Sequence, residues 1–280
     1  MTQAIQKKLN DSAFARWTAL ILVALTMFFG YMFVDVLSPL QNMLESTRGW
    51  SPTIFGLYGG SEFILNVCGF LLVAGIILDK MGVRFTGILS ASLMVLGAGI
   101  KFYGLSNYFY EGGFGYEFLS SFLTDIPASA KLACLGFMVF GCGTEMAGVT
   151  VSRAIVKWFT GKELALAMGL EMAIARLGVF AVFSLSPWVA NWGGDPSVAR
   201  PVAVVGLLLC IGLLTYIAFS VMDFKLDRQT EADTPIGETE EPFKVADLKN
   251  LFSSKTFLIV SALCVLYYSA IFPFQRFATG

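Results

Sequence analysis

Residues Gly141–Gly178 read GCGTEMAGVTVSRAIVKWFTGKELALAMGLEMAIARLG, and this stretch decides how the rest of the chain is interpreted. Two apolar runs of helical length flank a short polar turn, Trp158–Glu163. Three charged residues lie well inside these runs rather than at their ends: Glu145, Glu171 and Arg176. In a run that crosses a bilayer, each such charge costs roughly 2.5–3.5 kcal/mol unless a partner compensates it. The stretch therefore predicts a membrane protein that keeps charged groups inside the bilayer.

Glu145 and Arg176 are predicted to lie at the same depth. Each is about fourteen residues from the expected outer end of its helix, which at ~1.5 Å per residue is near the middle of the membrane. An acid and a base at one level, on adjacent antiparallel helices, either neutralise each other or hold the two ends of a zwitterion. We favour the second interpretation, because intramembrane charges usually line a water-filled pathway, whereas buried ion pairs add little net stability.

The overall composition is that of a polytopic membrane protein. Of the 280 residues, 56% are hydrophobic and only 14% are charged, which excludes a soluble domain. Several apolar runs reach about twenty residues or more, enough to cross a hydrocarbon core of roughly 30 Å as helices. The net charge of −1 suggests no nucleic-acid partner, and the partners expected are the lipid bilayer and a small-molecule substrate.

Residue usage also limits the chemistry. The chain contains no histidine, which excludes histidine metal ligands and histidine bases. Its five cysteines lie in or beside apolar runs without a CxxC spacing, and are interpreted as buried small hydrophobic residues. The sequence offers no nucleophile–base set and no cluster of metal ligands. We therefore expect no enzyme activity, no metal and no cofactor.

Six membrane-spanning helices are predicted, over Trp17–Gln41, Thr53–Leu78, Phe85–Tyr103, Lys131–Lys157, Leu164–Ala190 and Val202–Met222. Together they form a predicted N-terminal bundle, residues 1–222. A short loop is expected at 45–51, and an aromatic loop at 104–130 is interpreted as interfacial rather than as a substrate lid. Residues 223–254 are polar and predict a cytoplasmic linker, with a short amphipathic helix near Phe243–Phe252. Residues 255–280 are predicted to begin a second half with helix seven.

Lysine and arginine predict a cytoplasmic N-terminus. The segments on the predicted inner side hold twelve basic residues: Lys7, Lys8, Arg16, Lys80, Arg84, Lys157, Lys162, Lys225, Arg228, Lys244, Lys249 and Lys255. The predicted outer segments hold only four: Arg48, Lys101, Lys131 and Arg200. This asymmetry follows the positive-inside rule of multi-pass membrane proteins.

Three further acidic residues are candidates for proton coupling or gating. Asp35 and Glu62 share a predicted level on neighbouring helices, where two adjacent carboxyl groups suit either a proton carrier or a hydrogen-bonded polar vestibule. Glu171 is about 140° around its helix from Arg176, at ~100° per residue, so one site is not expected to use both directly. We favour packing or gating for Glu171, with proton coupling as an alternative. Arg153 is close enough to the inner end of its helix to reach the interface.

The turn between the second and third predicted helices carries a family signature. Gly75, Asp79, Lys80, Gly82 and Arg84 resemble the G-x-x-x-D-[RK]-x-G-x-[RK] pattern of the major facilitator superfamily, which occupies this position in that superfamily. Physically, the first glycine would let two helices touch, and the aspartate could face a helix N-terminus or a basic residue. The two basic residues would stay at the anionic inner surface.

Within that superfamily, three stretches resemble the lysosomal dipeptide transporter branch: Trp158–Gly178, Gly141–Glu145 and Tyr267–Phe274. The resemblance implies that an acid on the fourth helix, here Glu145, faces the substrate amino group. It implies in the same way that an arginine on the fifth helix, here Arg176, faces the carboxylate.

Two positions depart from the family pattern. Phe137 stands where many superfamily members have an arginine on the fourth helix, and Glu171 stands where the dipeptide branch has glutamine.

The expected protein is therefore an all-α secondary carrier of the major facilitator type in a bacterial inner (cytoplasmic) membrane. A small zwitterion, by resemblance a dipeptide, would bind between two six-helix halves that expose it alternately to each side. On this interpretation, the C-terminal half beyond helix seven is a missing partner of the chain. Two alternatives remain: a dicarboxylate carrier that uses Arg176 and Arg153, and a membrane scaffold or receptor whose charges pair internally.

Overall fold

The computed structural model describes residues 8–231 and 253–277, and every regular element in these two ranges is helical. The helices are α1 (Ala13–Val34), α2 (Gln41–Arg48), α3 (Pro52–Leu65), α4 (Leu71–Leu105), α5 (Asn107–Tyr110), α6 (Tyr116–Ser120), α7 (Ala128–Phe159), α8 (Leu164–Ala190), α9 (Ala199–Glu231) and α10 (Lys255–Phe277). The chain divides into two compact units, Met1–Pro235 and Ile236–Gly280, and α10 belongs to the second. The predicted all-α polytopic class is confirmed.

Apolar helical segments account for six membrane passes in the first unit. The described residues contain five segments long and apolar enough to span a bilayer. One of them, Pro52–Leu105, has 54 residues, which is enough for two passes at ~1.5 Å per residue. This segment bends at Gly82, whose φ of 74° lies in the left-handed region that glycine adopts without strain.

The parts of this segment before and after Gly82 run past α7 in opposite directions. A Cβ atom at Gly141 would lie 2.1 Å from the carbonyl oxygen of Glu62, and one at Gly143 would lie 2.6 Å from that of Ser90. Glu62 and Ser90 are therefore level with each other, although many residues separate them in the chain. The chain reverses between them, as the predicted second and third helices require.

Capping side chains set the starts of two helices. The hydroxyl oxygen of Ser12 accepts a hydrogen bond from the backbone N–H of Ala15 at the start of α1. Ser51 accepts from Ile54 in the same way at the start of α3, where Pro52 takes the first helical position. Because these polar residues satisfy free N–H groups, both helices begin before their predicted starts.

The predicted first helix, Trp17–Gln41, is interrupted. α1 ends at Val34, and Asp35 has a non-helical backbone with φ −102° and ψ 12°. The hydroxyl of Ser38 donates a hydrogen bond of 3.0 Å to the Asp35 carboxylate. This local bond competes with helical hydrogen bonding, which explains why the helix ends at Val34, before the break that the sequence predicts at Ser38–Pro39.

Two other predicted boundaries are wrong. The loop expected at 45–51 is mostly helical, because α2 continues to Arg48 and ends at Gly49, which has a φ of 69°. The linker expected from residue 223 starts later, because α9 continues to Glu231. The predicted amphipathic helix Phe243–Phe252 lies outside the described residues.

Glycines allow α4 and α7 to touch through their backbones. A Cβ atom at Gly97 would lie 2.4 Å from the backbone nitrogen of Phe140 and 2.5 Å from the carbonyl oxygen of Gly136. A Cβ atom at Gly136 would lie 2.6 Å from the backbone nitrogen of Lys101. Small residues at such contacts are typical of helix association in lipid, where close van der Waals contact replaces the hydrophobic effect.

The aromatic segment between α4 and α7 covers a groove on the outer flank of these helices. The groove has a volume of about 760 Å³ and its walls are almost entirely apolar. They include Leu96 and Leu135, which are 56% and 47% exposed, together with Phe114 and Phe118. Exposed apolar residues of this kind face lipid, so the geometry favours an interfacial segment over a substrate lid.

The contact between α4 and α7 generates a matched test. Gly97→Ala is expected to lower the free energy of unfolding by about 1–3 kcal/mol, because its methyl group meets backbone atoms that cannot rotate away. Gly99→Ala, on the same helix, has nothing within 4 Å of the new Cβ and is expected to be neutral or slightly stabilising. Thermal unfolding in detergent measures both, and equal midpoints would contradict the close-contact interpretation.

Candidate functional site

Arg176 lies on a face of α8 that the described helices leave uncovered. Its side chain is exposed, and its guanidinium carbon lies 5.1 Å from the centroid of the Tyr31 ring on α1. Within the described ranges, no hydrogen bond or ion pair involves the Arg176 guanidinium. An arginine facing lipid at this depth would be strongly unfavourable, so the uncovered face is expected to border water or another protein surface.

Glu145 is half-buried on α7 and begins a stripe of accessible residues. Val149, Ser152 and Val156 follow at helical spacing on the same face, and the two valines are each 41% exposed. None of the described residues forms a hydrogen bond or an ion pair with the Glu145 carboxyl group. The carboxyl group is therefore not part of a closed ion pair within the described part of this unit.

Contacts along α1 relate the depths of these two charges. The Phe33 ring lies 4.8 Å from the Phe140 ring on α7, and a Cβ atom at Gly178 of α8 would lie 2.3 Å from the carbonyl oxygen of Phe28. Because α1 and α7 are antiparallel, Glu145 is level with Phe28 and hence with Gly178. The arginine is two residues from that glycine, a depth difference of about 3 Å.

The structure therefore brings Glu145 and Arg176 to one depth without joining them. The described residues contain no ion pair between them at the 4.0 Å limit. An acid and a base that share a level but remain apart can bind two opposite charges of one solute. Within the described residues, Glu145 and Arg176 do not form the internal ion pair that the scaffold alternative predicts.

Asp35 and Glu62 are both buried, with 4% and 2% exposure. Glu62 lies where α3 contacts Gly141 of α7, and the Asn66 side chain one turn further on donates to the carbonyl oxygens of Glu62 and Gly141. A π-helical turn at Asn66–Phe70 follows directly. Such turns widen a helix locally and are frequent at functional sites.

Lys101 is a buried charge that sequence reasoning assigned to an outer segment. Its exposure is 0%, and its ammonium nitrogen lies 4.3 Å from the Phe33 ring centroid, 4.4 Å from that of Phe137 and 5.0 Å from that of Tyr58. Cations are attracted to ring faces, most strongly where water is excluded. The three rings belong to α1, α3 and α7, so the lysine of α4 connects four helices. Lys101 precedes the end of an apolar run in the sequence, and this position was the available signal that it is buried.

Glu171 lies on a different face of α8 from Arg176. It is 7% exposed and shares its face with the buried residues Ala175 and Gly178, the second of which contacts α1. Arg176 is exposed on the uncovered face. The separation expected from helical geometry is therefore present, and direct use of both side chains by one solute remains unsupported.

The signature turn is joined to α7 by an ion pair. Arg153 of α7 contacts the Asp79 carboxylate, and both side chains are partly exposed. The sequence predicted that Asp79 faces either a helix N-terminus or a basic residue, and the structure shows the basic residue, Arg153. Gly75 does not have its expected role within this unit, because nothing described lies within 4 Å of a Cβ atom placed there. Lys80 is exposed, as expected for a residue at the membrane surface.

A second charged cluster connects the bend of α4, at Arg84, with the ends of α7 and α9. Asp223 is 1% exposed and accepts hydrogen bonds from Lys157 at 2.8 Å and from the Trp158 indole at 3.0 Å. Asp227, one turn further along α9, contacts Arg84 and Lys157, each at 2.6 Å. These carboxylates explain why α9 extends into the predicted linker: its polar last turns have partners on the bundle.

The start of α1 is clamped to the turn between α7 and α8. Arg16 contacts Glu163 at 3.1 Å, and Lys162 contacts Asp11 at 3.0 Å. A backbone hydrogen bond and then Arg16 lower the pKa of the Glu163 carboxyl below its ordinary value of 4.5. Lys162 and then the backbone of Lys8 lower the pKa of Asp11 below 3.8. The ionised form of each carboxyl group therefore stabilises the folded state.

Comparison with known proteins identifies the family. Residues 23–278 match the sequence profile of the Major Facilitator Superfamily, which is most of the chain. The chain therefore belongs to this superfamily of membrane transporters, and the resemblance drawn from the signature turn is confirmed.

Particular relatives lie in one branch. The chain is 35% identical over 145 residues to the lysosomal dipeptide transporter MFSD1 of Gallus gallus, covering 50% of this chain and 32% of the relative. It is 27% identical over 271 residues to the protein of the same name from Pongo abelii, covering 92% of this chain and 52% of the relative. The chain spans about a third to a half of the length of these relatives. No solved structure matches it.

The clamp at the start of α1 predicts a pH effect. A carboxyl group whose pKa is lowered by folding stabilises the protein above its ordinary pKa, and this contribution disappears as pH falls through the lowered value. Glu163→Gln is therefore expected to lower the unfolding midpoint at pH 7, with a smaller deficit near pH 3 as the carboxyl group becomes protonated. Glu117→Gln, an exposed acid outside the clamp, is the control and should match the wild type at both pH values. A Glu163→Gln deficit that is as large near pH 3 as at pH 7 would contradict the clamp.

The ion pair at the signature turn can be tested by charge reversal. Arg153→Asp should destabilise the bundle, and the double change Asp79→Arg with Arg153→Asp should recover part of the loss. The recovered fraction is expected to be about 1 kcal/mol or less, because both side chains are partly solvated. Lys80→Asp, in the same turn, controls for surface charge. Additive effects in thermal unfolding would show that the two residues do not interact.

Proposed function

We propose that this protein carries a small zwitterionic solute, with a dipeptide as the leading candidate, across the membrane by alternating access. Membership of the major facilitator superfamily supports a transporter. The observation that carries the finer proposal is the arrangement of Glu145 and Arg176. They share one depth, lie beside open faces and have no charged partner among the described residues.

Each charge suits one end of the solute. The Arg176 guanidinium presents a planar fork of N–H donors, which matches a carboxylate with two parallel hydrogen bonds. The Glu145 carboxylate accepts hydrogen bonds from a protonated amine. A solute with both groups neutralises both charges at once, and this removes the penalty of leaving either one in a low-dielectric region. Recognition would then depend on the two termini and tolerate different side chains.

The relatives named dipeptide transporter support this substrate class, and one of them matches 92% of this chain. For the whole protein we infer two halves, with residues 255–280 beginning the second and a linker after Glu231 joining them. The membrane is proposed to be a bacterial inner membrane, with the N-terminus in the cytoplasm. Charge asymmetry supports this orientation, although Lys101 is removed from the outer count because it is buried.

Asp35, Glu62 and Glu171 are proposed to serve coupling or gating rather than direct binding. All three are buried, whereas Arg176 is exposed and Glu145 is half-buried. Uptake that depends on a pH gradient would support a proton-coupled role for at least one of them.

A dicarboxylate carrier is less well supported. That function would need Arg153 beside Arg176, but Arg153 already has the carboxylate of Asp79 as a partner. It also lies eight residues beyond Glu145 on α7, a depth difference of about 12 Å.

Uptake of alanylalanine by proteoliposomes that hold the complete protein tests the proposal. Wild type should transport the free dipeptide and discriminate against its N-acetyl and C-amide derivatives. Glu145→Gln should lose the preference for a free amine, and Arg176→Lys should raise KM about tenfold or more because the bidentate contact is lost.

Arg228→Lys is the matched control, because Arg228 also lies over an aromatic ring, at 4.4 Å from Phe224, but at the inner end of α9. It should behave as wild type. Equal uptake of free and blocked dipeptides by the wild-type protein would refute the recognition proposed here.

A further inference from the structure

We infer that Tyr31 is a positioning residue for the substrate carboxylate, acting through Arg176. This inference rests on the proposed function and extends it to a residue that neither the sequence patterns nor the signature turn singles out. Tyr31 is half-buried on α1, and Arg176 is exposed on α8. The guanidinium carbon lies over the tyrosine ring, 5.1 Å from its centroid.

The contact leaves the N–H donors of the Arg176 guanidinium without a hydrogen-bond partner among the described residues. A guanidinium is planar, and its five N–H donors point outward in that plane. A ring below the plane attracts the positive charge without occupying any of these donors. Because Arg176 makes no hydrogen bond within the described part of the chain, its donor edge is free to meet a carboxylate.

The register between α1 and α8 is fixed next to this contact. A Cβ atom at Gly178 would lie 2.3 Å from the carbonyl oxygen of Phe28 and 3.3 Å from the Met32 side chain. Met32 follows Tyr31 directly, and Gly178 is two residues from Arg176. The tight backbone contact therefore fixes how α1 and α8 align close to Tyr31 and Arg176, and the ring contact reduces the rotamer freedom that the arginine has to lose when a solute binds.

The ring of Tyr31, rather than its phenolic hydroxyl, makes the contact with Arg176. Tyr31→Phe keeps an aromatic face and should preserve the contact. Tyr31→Leu removes the face with a modest change in volume. Tyr31→Met, an unbranched side chain that fits irregular space, is measured alongside so that a folding failure of one variant does not decide the result.

Alanylalanine uptake by proteoliposomes with the complete protein is the test. Tyr31→Leu and Tyr31→Met should raise KM about three- to thirty-fold with a smaller effect on kcat, and should reduce discrimination against the C-amide derivative. Tyr31→Phe should stay within about twofold of wild type in KM. Tyr108→Leu, which removes an exposed aromatic residue of the outer segment, is the control and should have no effect.

A double-mutant cycle separates this role from a purely structural one. In an Arg176→Gln background, Tyr31→Leu should add no further increase in KM, because the group it positions is gone. Wild-type KM values for both Tyr31→Leu and Tyr31→Met, or an unchanged effect in the Arg176→Gln background, would overturn the inference while leaving the proposed function intact. Wild-type uptake that does not discriminate against blocked termini, or an unchanged KM in Arg176→Gln, would overturn both.

Discussion

The architecture of the first unit depends on how closely α7 approaches its neighbours. Three glycines on this helix leave room for backbone atoms of its neighbours. Gly136 and Gly143 contact the part of α4 that follows Gly82, and Gly141 contacts α3. In lipid there is no hydrophobic gain from bringing helices together, so close contact between backbones must supply the attraction. With two faces of α7 committed to these contacts, the remaining face is the one that carries Glu145.

α1 has the corresponding role for the basic charge. It contacts α8 at Gly178 and α7 at Phe140, and so it lies between the helices that carry Arg176 and Glu145. A helix between them explains how opposite charges can share a depth without collapsing into a pair. Keeping Glu145 and Arg176 unpaired inside the membrane is unfavourable by itself. Packing elsewhere in the unit offsets this free-energy cost. Sites of this kind are expected where a protein must bind and then release a charged solute.

Sequence patterns predicted the elements well where one physical signal dominates. The bounds of α8, Leu164–Ala190, were predicted to the residue, because a polar turn and a change in composition flank the run. A break in the first helix was predicted at Ser38–Pro39, but it begins earlier, at Asp35, because of a hydrogen bond from Ser38 to this residue that leaves hydropathy unchanged. Lys101 was misplaced for a related reason: its burial depends on rings from three other helices, and no local window contains them.

The Lys101 cage has a consequence for the order of membrane insertion. A lysine in an apolar run is unfavourable for an isolated helix, yet here three aromatic rings form part of the shell around it. Two of its rings, Phe33 and Tyr58, precede it in the chain, and only Phe137 follows. During synthesis, the first two helices can therefore receive the ammonium as the third one enters the bilayer. The fourth helix then closes the shell, with Phe137 at the position where many superfamily members carry an arginine, so that here the neighbouring helix supplies the cation.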